Sequence, residues 1–358
     1  MTGKLGPRVL LGLGILLIIA GFVVKFAVVP ALAKFPDDVD TLRTYSGTVD
    51  ILNRAELENP TGAPPFFNDL PVVSEREVRT IEVDGDKALV RDAARLVAAE
   101  GTPLAGTRLT GYEDFYTIDR VTMEAVPNFT DNDLVFDREG LVVGFPIGTE
   151  ARSYTGWNGD PAEPVTLQYV GEEERQGRTT RVFEASSGPL PIVDPGTLSE
   201  FPATFPKASV TAIAPLLNLP PDLLGALPAL LPLLPDELDL DYTYEFSAKY
   251  WVDPATGVLI DVEKNDVRKA IISVPGLPLE IDPVTVYNLN YTSTEETLAD
   301  AVDDAERYGT QLTLGRTVVP IGLWLVGAVL TVLGLSTLRR KPRPAPEIPT
   351  HSISDSDG

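Results

Sequence analysis

The sequence predicts a mainly β protein with peripheral helices, in which a large antiparallel β domain lies between two transmembrane helices. Long apolar runs over residues 9–29 and 317–338 predict the two helices. Between these runs, several segments alternate polar and apolar residues with period two. Turn-forming residues separate the segments, which is typical of antiparallel strands.

The first run, Val9 to Val29, is apolar except for Lys25. It has about the ~20 residues that a helix needs to cross a bilayer. Lys25 lies near one end, where its long side chain can reach the interface. A signal peptide cleaved after Ala31-Leu32-Ala33 is the alternative, but two uncleaved anchors explain both ends of the chain at once.

The second run, Val318 to Leu338, contains no charged residue. Basic residues flank both runs on their terminal sides, and such residues are retained in the cytoplasm; they are Lys4, Arg8, Arg339, Arg340, Lys341 and Arg343. We therefore expect a plasma-membrane protein with cytoplasmic segments 1–8 and 339–358 and an extracytoplasmic domain over 30–316. The Pro/Ser/Asp-rich tail is predicted to be disordered.

Glycines recur at seven-residue spacing in both runs, as Gly14 and Gly21 in the first and Gly327 and Gly334 in the second. Small residues at such positions allow helix backbones to approach closely. Glycine is also simply common in membrane helices. The spacing favours direct packing of the two helices, with ordinary glycine usage as the alternative.

Composition excludes several functions. The formal charge is −23, which disfavours a nucleic-acid partner because phosphate binding needs a basic face. There is no cysteine, and the only histidine, His351, lies in the tail. Disulfides, thiol nucleophiles and histidine-based triads or metal sites are therefore not expected. The acidic triplets 84–86 and 131–133 fit solvated turns better than calcium loops. We expect no enzyme, cofactor or metal.

Three hairpins and a further strand are predicted within the domain. Asp84-Gly85 lies between two β-rich arms over 78–90. Residues 166–186 resemble a hairpin with a long polar turn, and 242–272 a hairpin around Asp253-Pro-Ala-Thr-Gly257. Residues 284–294 predict one more strand.

Two amphipathic helices are expected where the domain meets the apolar runs. Thr294 and the acidic residues after it predict the start of one helix, and Gly309 its end. This helix would lead into the second run. A similar helix is predicted from Ala31 to about Tyr45.

The Pro/Leu-rich segment 187–240, predicted to form an apex, contains the most apolar stretch outside the two runs. No side chain between Asp222 and Asp236 can form a hydrogen bond. Pro221 suits the first turn of a helix, whereas Pro228 predicts that no single regular helix forms. In helical geometry six leucines share one side: Leu223, Leu224, Leu227, Leu230, Leu231 and Leu234. Leaving them exposed would cost on the order of 10 kcal/mol.

Four partners could cover this leucine stripe: the β core of the domain, an apolar cavity or bound lipid, a membrane surface, or another protein. Acidic flanking residues disfavour the membrane surface, because helices that lie on membranes usually carry Lys and Arg. Burial in the core requires nothing beyond ordinary packing. Burial against a cavity would make the six leucines ligand-binding residues.

Two motifs carry a resemblance to a known family. They are GLVVGFPIGTEARSYTGWNGD over 140–160, with Phe145-Pro146, Tyr154 and Trp157, and YWVDPATGVLI over 250–260. Together with the two terminal runs they resemble the porin PorA family of two-span actinobacterial membrane proteins. The resemblance covers nearly the whole chain. It implies a cell-envelope protein and no catalytic residues.

The layout also resembles that of class B scavenger receptors, in which two terminal spans hold a β-rich outer domain with a helical apex and an apolar tunnel for lipid. By this analogy of architecture the Leu/Pro segment would belong to the apex or line the tunnel. The two apolar runs contain almost no polar residue that could line a water-filled path.

We therefore expect a non-enzymatic envelope protein whose outer domain binds or conducts lipid or another apolar molecule, with the six leucines as the binding residues. Membrane lipid is the expected partner, and no nucleic acid is expected. A structural protein that docks on an envelope partner through the same segment is the first alternative. A porin-like channel subunit is the second.

Overall fold

The computed structural model describes residues 6–58, 61–214, 221–273 and 282–339. These fall into two compact units, the first from residues 1–32 and 310–358 and the second from residues 33–309. The second unit is mainly antiparallel β, and apolar helices occupy both ends of the described chain. The predicted fold class is confirmed. Most of the two segments that were predicted to be cytoplasmic, namely residues 1–5 and 340–358, lies outside the described residues.

One curled sheet forms the second unit, which we call the β domain. Its strands follow the order β4-β3-β2-β1-β11-β10-β9-β7-β6-β5, and β8 pairs with β9. Their bounds are β1 Asp40–Leu52, β2 Phe66–Asp84, β3 Lys87–Ala98, β4 Arg108–Asp119, β5 Tyr154–Asn158, β6 Glu163–Arg175, β7 Arg178–Pro191, β8 Thr204–Pro206, β9 Glu237–Val252, β10 Leu259–Ser273 and β11 Val284–Ser293.

Isolated bridges link the two edges of this sheet. Ile118 on β4 pairs with Ala125, Glu124 pairs with Leu141, and Leu141 pairs with Gly156 on β5. The loop between β4 and β5 thus closes the gap between the two edge strands. Closing a sheet on itself satisfies edge groups that would otherwise be unpaired and encloses an interior.

Eight α-helices accompany the sheet in the described part of the chain: α1 Pro7–Val23, α2 Val29–Leu32, α3 Arg54–Glu58, α4 Pro195–Ser199, α5 Val210–Ile213, α6 Pro221–Leu230, α7 Glu295–Thr313 and α8 Val319–Arg339. Short π-helical stretches join α1 to α2 and α7 to α8. Two continuous helices, Pro7–Ala31 and Glu295–Arg339, are long and apolar enough to cross a membrane.

The predicted hairpins form, with one difference in turn length. Gly85 (φ +60°) turns β2 into β3, and the Asp253–Val258 turn joins β9 to β10. Between β6 and β7 the turn is only Gln176-Gly177, both with positive φ. The polar residues predicted to form a long turn belong to β6 and β7 instead, where Glu174 accepts a hydrogen bond from Thr179.

Two helix predictions beside the apolar runs were wrong. α2 ends at Leu32 and β1 begins at Asp40, so the early helix does not extend to Tyr45. β1 pairs with a strand on each side, and these two ladders override the local helical pattern. The later helix begins at Glu295 as expected but passes through Gly309 into α8. Gly309 does not adopt the positive φ with which glycine ends helices.

Helices α1 and α8 pack directly against each other, as the glycine spacing predicted. A Cβ atom at Gly14 would lie 2.7 Å from the carbonyl oxygen of Gly327. One at Gly334 would lie 2.8 Å from the backbone nitrogen of Leu11, and one at Gly21 would meet Trp324. Only glycine permits this approach. Apolar side chains on the other faces of both helices are exposed, as lipid contact requires.

Candidate functional site in the interior of the β domain

The leucine segment lies at one end of the curled sheet. Helix α6 and the turn after it pack on an apolar cluster that we call the leucine cap. Its members are Phe205, Val210, Leu227, Leu231, Leu234, Leu238 and Ile272, together with Leu52, Leu240 and Val284. Leu52 and Leu240 also contact the main core, so the cap is continuous with the apolar lining of the sheet.

Three of the six predicted leucines join the cap. Leu234 is buried, and Leu227 and Leu231 are partly buried. Leu230 is half-buried, Leu224 is exposed, and the side chain of Leu223 lies outside the described residues. The segment is covered by the β domain itself on one side only. A ligand-binding role for the six leucines stays a prediction.

Pro228 does not prevent a helix, but no single regular helix covers the segment, as the sequence predicted. Pro228 lies inside α6, which ends two residues later and tightens into a 3₁₀ turn over Leu231–Leu233. A proline near the end of a short helix removes one hydrogen bond and disturbs only one preceding turn. The segment is therefore a single bent helical element.

Beyond the cap, the inward-facing positions change from leucine to tyrosine and charged residues. On β10 these positions are Lys264, Asp266 and Arg268, which follow strict alternation. Their partners on β11 are Tyr291, Leu289 and Tyr287. Along β10, Ile272 in the cap lies eight residues from Lys264, which is about 27 Å at strand geometry. The interior thus has an apolar end and a polar, tyrosine-rich middle.

Each inward-facing cation is paired with a carboxylate. Arg76 binds Asp92 with two hydrogen bonds, Nε to Oδ1 at 2.9 Å and Nη2 to Oδ2 at 2.6 Å. The other pairs are Lys264–Asp266 at 2.9 Å, Arg268–Asp160 at 2.8 Å and Arg138–Asp114 at 2.6 Å. These four pairs carry no net charge. They satisfy the requirement that enclosed charges be matched.

Tyr112 shows that the interior holds open space. Burial raises its pKa well above the usual value for tyrosine, and the Asp92 carboxylate raises it further. Tyr291 and Lys264, on β11 and β10, also shift the pKa of Tyr112 electrostatically, so they lie near it. Nevertheless, 46% of Tyr112 is accessible to solvent. The accessible surface of Tyr112 on an inward-facing strand position indicates open space on this side of the sheet.

Two further tyrosines have unused hydroxyls there. Burial raises the pKa of Tyr250 and that of Tyr291. Neither hydroxyl forms a hydrogen bond with a described residue. Neither is among the fully buried polar atoms that lack a partner. Both hydroxyls are therefore accessible and not fully enclosed. They can donate to and accept from a water or a ligand.

The two sequence motifs that carried the resemblance contact each other at the end of the interior opposite the cap. A Cβ atom at Gly257, in the second motif, would lie 2.5 Å from the carbonyl oxygens of Phe145 and Pro146 in the first. Gly257 has φ +75° as well, so the turn requires glycine. Phe145 stacks 4.7 Å from the ring of Phe183. These motifs have a structural role in closing the β domain.

The outward face of β2, β3 and β4 is strongly charged. Arg91 binds both Glu77 and Glu113, and Arg95 binds Glu75. Charged groups facing hydrocarbon would be costly, so this face is not one that contacts lipid tails. The larger apolar clusters of the β domain are internal.

Sequence reasoning missed the polar middle of the interior. The signal was present in β10, where alternation places Lys264, Asp266 and Arg268 on the same face as Val262 and Ala270. Charged residues at inward positions are unusual in a core, and this marks an interior with polar space. Without the register, the same residues resembled an ordinary solvated face.

Comparison with known proteins identifies the family. A family model described as Porin PorA matches residues 7–336. The chain belongs to the Porin PorA family. The resemblance drawn from the two motifs and the terminal runs is confirmed. Family membership, with two apolar helices, indicates a membrane or cell-envelope protein.

A curated member of the Porin PorA family gives a partial match. Porin PorA of Corynebacterium resistens is 25% identical over 231 residues, which cover 55% of this chain and 56% of that relative. The chain thus spans about half the length of this relative. Among solved structures, an acyl-CoA thioesterase II of Mycobacterium marinum covers 72% of this chain and 81% of its own, with 10% identity and a TM-score of 0.10. This similarity supports no common fold.

Proposed function

We propose that this envelope protein binds an amphipathic, lipid-like molecule inside the β domain. The apolar part of the ligand lies against the leucine cap, and its polar part lies among the tyrosines of the interior. The observation that carries the proposal is the accessible surface of Tyr112 on the inward face of the sheet. From this region the inward-facing residues become apolar toward Ile272 in the leucine cap. A ligand that is apolar throughout would leave the tyrosine and charged groups without partners.

The polar part of the ligand is uncharged. Arg76, Lys264 and Arg268 each already bind a carboxylate, so a charged headgroup would enter without a free counter-charge. Enclosing an unmatched charge costs several kcal/mol. Hydroxyl groups instead match the hydroxyls of Tyr250 and Tyr291, which both donate and accept hydrogen bonds.

A series of hexadecyl amphiphiles with different headgroups tests this function. The full chain, held in amphipol, is equilibrated with radiolabelled hexadecyl maltoside, phosphocholine, sulfate or trimethylammonium, each below its micelle concentration. We expect saturable binding that is tightest for the maltoside. Replacing Tyr250 and Tyr291 together by Phe is expected to weaken maltoside binding roughly tenfold, the value of one or two hydrogen bonds.

The leucine cap supplies the matched control. Changing Leu227 and Leu231 to Asp should reduce binding of all four amphiphiles, whereas Leu233→Asp should not, because Leu233 is 71% exposed. Equal binding of all four amphiphiles would contradict the proposal that the headgroup is uncharged, but not the proposal that the domain binds an amphiphile. Absence of saturable binding for every member would contradict the amphiphile function.

We further propose that both chain ends are cytoplasmic and that the β domain is extracytoplasmic. The basic residues outside each apolar helix support this orientation. Because the chain has no cysteine, single cysteines report location without background. In intact cells, an impermeant maleimide is expected to label Ser186→Cys in the β domain and not Ser354→Cys in the tail. Labelling of both, or only of Ser354→Cys, would refute the orientation.

A porin-like channel subunit is the second candidate. The name Porin PorA of the Corynebacterium relative and the polar interior of the β domain support it. Against it, glycine contacts bring α1 and α8 together without space for water between them. Stepwise conductance from the purified chain in planar bilayers would favour this candidate over amphiphile binding.

A further inference from the structure

A second concave surface lies on the outward face of the same sheet. It is a groove of about 1110 Å³ that crosses β1, β11, β10, β9, β7, β6 and β5. Its walls are mainly hydroxyl and amide side chains, among them Ser46, Thr48, Ser247, Asn265, Asn290 and Thr292. Seven neighbouring strands span about 29 Å, so the groove is long enough for an extended polymer.

The groove differs from the rest of the outward face. Over β2, β3 and β4 that face carries Arg–Glu pairs such as Arg95–Glu75. In the groove, Ser, Thr, Asn and Gln outnumber the charged residues, although the chain has 52 acidic and 29 basic residues. Solubility does not explain why hydroxyl and amide side chains predominate over charged ones here, because charged residues promote solubility better.

A ladder of amides fixes the orientation of two groups in the groove. Asn265 donates from Nδ2 to Oδ1 of Asn288 at 2.8 Å and to Oδ1 of Asn290 at 2.9 Å. Asn288 donates in turn to Asp50. This leaves Oδ1 of Asn265 and Nδ2 of Asn290 without a partner among the described residues. A preoriented acceptor thus lies beside a preoriented donor.

We propose that this groove binds an uncharged, polyhydroxylated polymer, that is, a neutral glycan chain. Neighbouring sugar hydroxyls both donate and accept hydrogen bonds, and so match the donor and acceptor of Asn290 and Asn265. An anionic polymer would meet Glu163, Glu184 and Glu263 along the walls. The proposal rests on outward-facing side chains, whereas the amphiphile proposal rests on inward-facing ones. Lys264 and Tyr291 belong to both linings.

Binding of uncharged oligosaccharides tests the proposal. The full chain in lipid nanodiscs is titrated with glucan, mannan, galactan, chitin and xylan heptamers and with oligogalacturonate as the charged counterpart. Saturation-transfer NMR is expected to show saturable binding of at least one neutral heptamer and none of oligogalacturonate. The double variant Asn265→Ala/Asn290→Ala is expected to weaken that binding roughly tenfold or more.

Control variants separate recognition from loss of folding. Ser247→Ala/Thr292→Ala changes the groove without touching the amide ladder and should also weaken binding, by a smaller factor. Arg95→Ala, on the charged part of the outward face, should leave binding of the neutral heptamer unchanged. The proposal is overturned if no neutral heptamer binds saturably, or if both groove variants bind as tightly as the unmodified chain while circular dichroism shows them folded.

Discussion

The Asp92→Ala variant is expected to lose about 3–5 kcal/mol of β-domain stability, the usual cost of removing one partner of a buried ion pair. The Asp92 side chain is 3% exposed, and the guanidinium of Arg76 binds it at 2.9 and 2.6 Å. Without Asp92, that guanidinium stays inside the domain with no counter-charge. Guanidinium unfolding, followed by the fluorescence of Trp157 and Trp251, measures the loss.

Arg95→Ala is the matched control on the same two strands. Its partner Glu75 lies on β2, as Arg76 does, but this pair faces outward and Arg95 is 63% exposed. Exposed pairs contribute at most about 1 kcal/mol. A double variant, Arg76→Met/Asp92→Leu, should recover much of the stability, because it leaves no unmatched charge. If Asp92→Ala and Arg95→Ala were equally stable, the interior would be as wet as the surface.

The sequence predicted correctly those turns and helices that depend only on residues close together in the chain. The Asp84-Gly85 and Asp253–Gly257 turns form because their residues suit the backbone angles of tight turns. The apolar runs form helices because backbone groups in a bilayer must be satisfied within the segment. The glycine spacing likewise predicted the contact between α1 and α8 because the helical period alone decides which residues share a face.

Pairing between strands that are distant in sequence determined the elements that local chemistry could not predict. Residues 40–45 have a weak helical pattern, yet they form the start of β1 because they pair with β2, and Tyr45 pairs with β11 as well. The candidate site depends on the same pairing. Arg76 and Lys264 are 188 positions apart in the chain and face one interior only when the strand order is known. The leucine stripe was visible from composition, but the tyrosine-lined space beside it was not.

The wall of this interior includes one tight junction in the middle of the sheet, where the first strand of the β domain pairs with the last. Gly47 lies at the middle of β1, opposite Tyr291 on β11. A Cβ atom there would lie 1.8 Å from the carbonyl oxygen of Asn290 and 2.8 Å from Cα of Tyr291. Both are backbone atoms, so no side-chain rotation can relieve the overlap. A larger residue must push the two strands apart.

Gly47→Ala is therefore expected to cost at least about 3 kcal/mol, the upper end of the range for overpacking. The same denaturation measurement would show it as a lowered midpoint. Gly188→Ala on β7 is the control, since its Cβ would meet nothing within 4 Å, and its stability should change by no more than about 0.5 kcal/mol. Equal stability of the two variants would mean that β1 and β11 are less tightly joined than this contact requires. In that case the interior would open along this junction, and the site proposed for the amphiphile would not exist as a closed space.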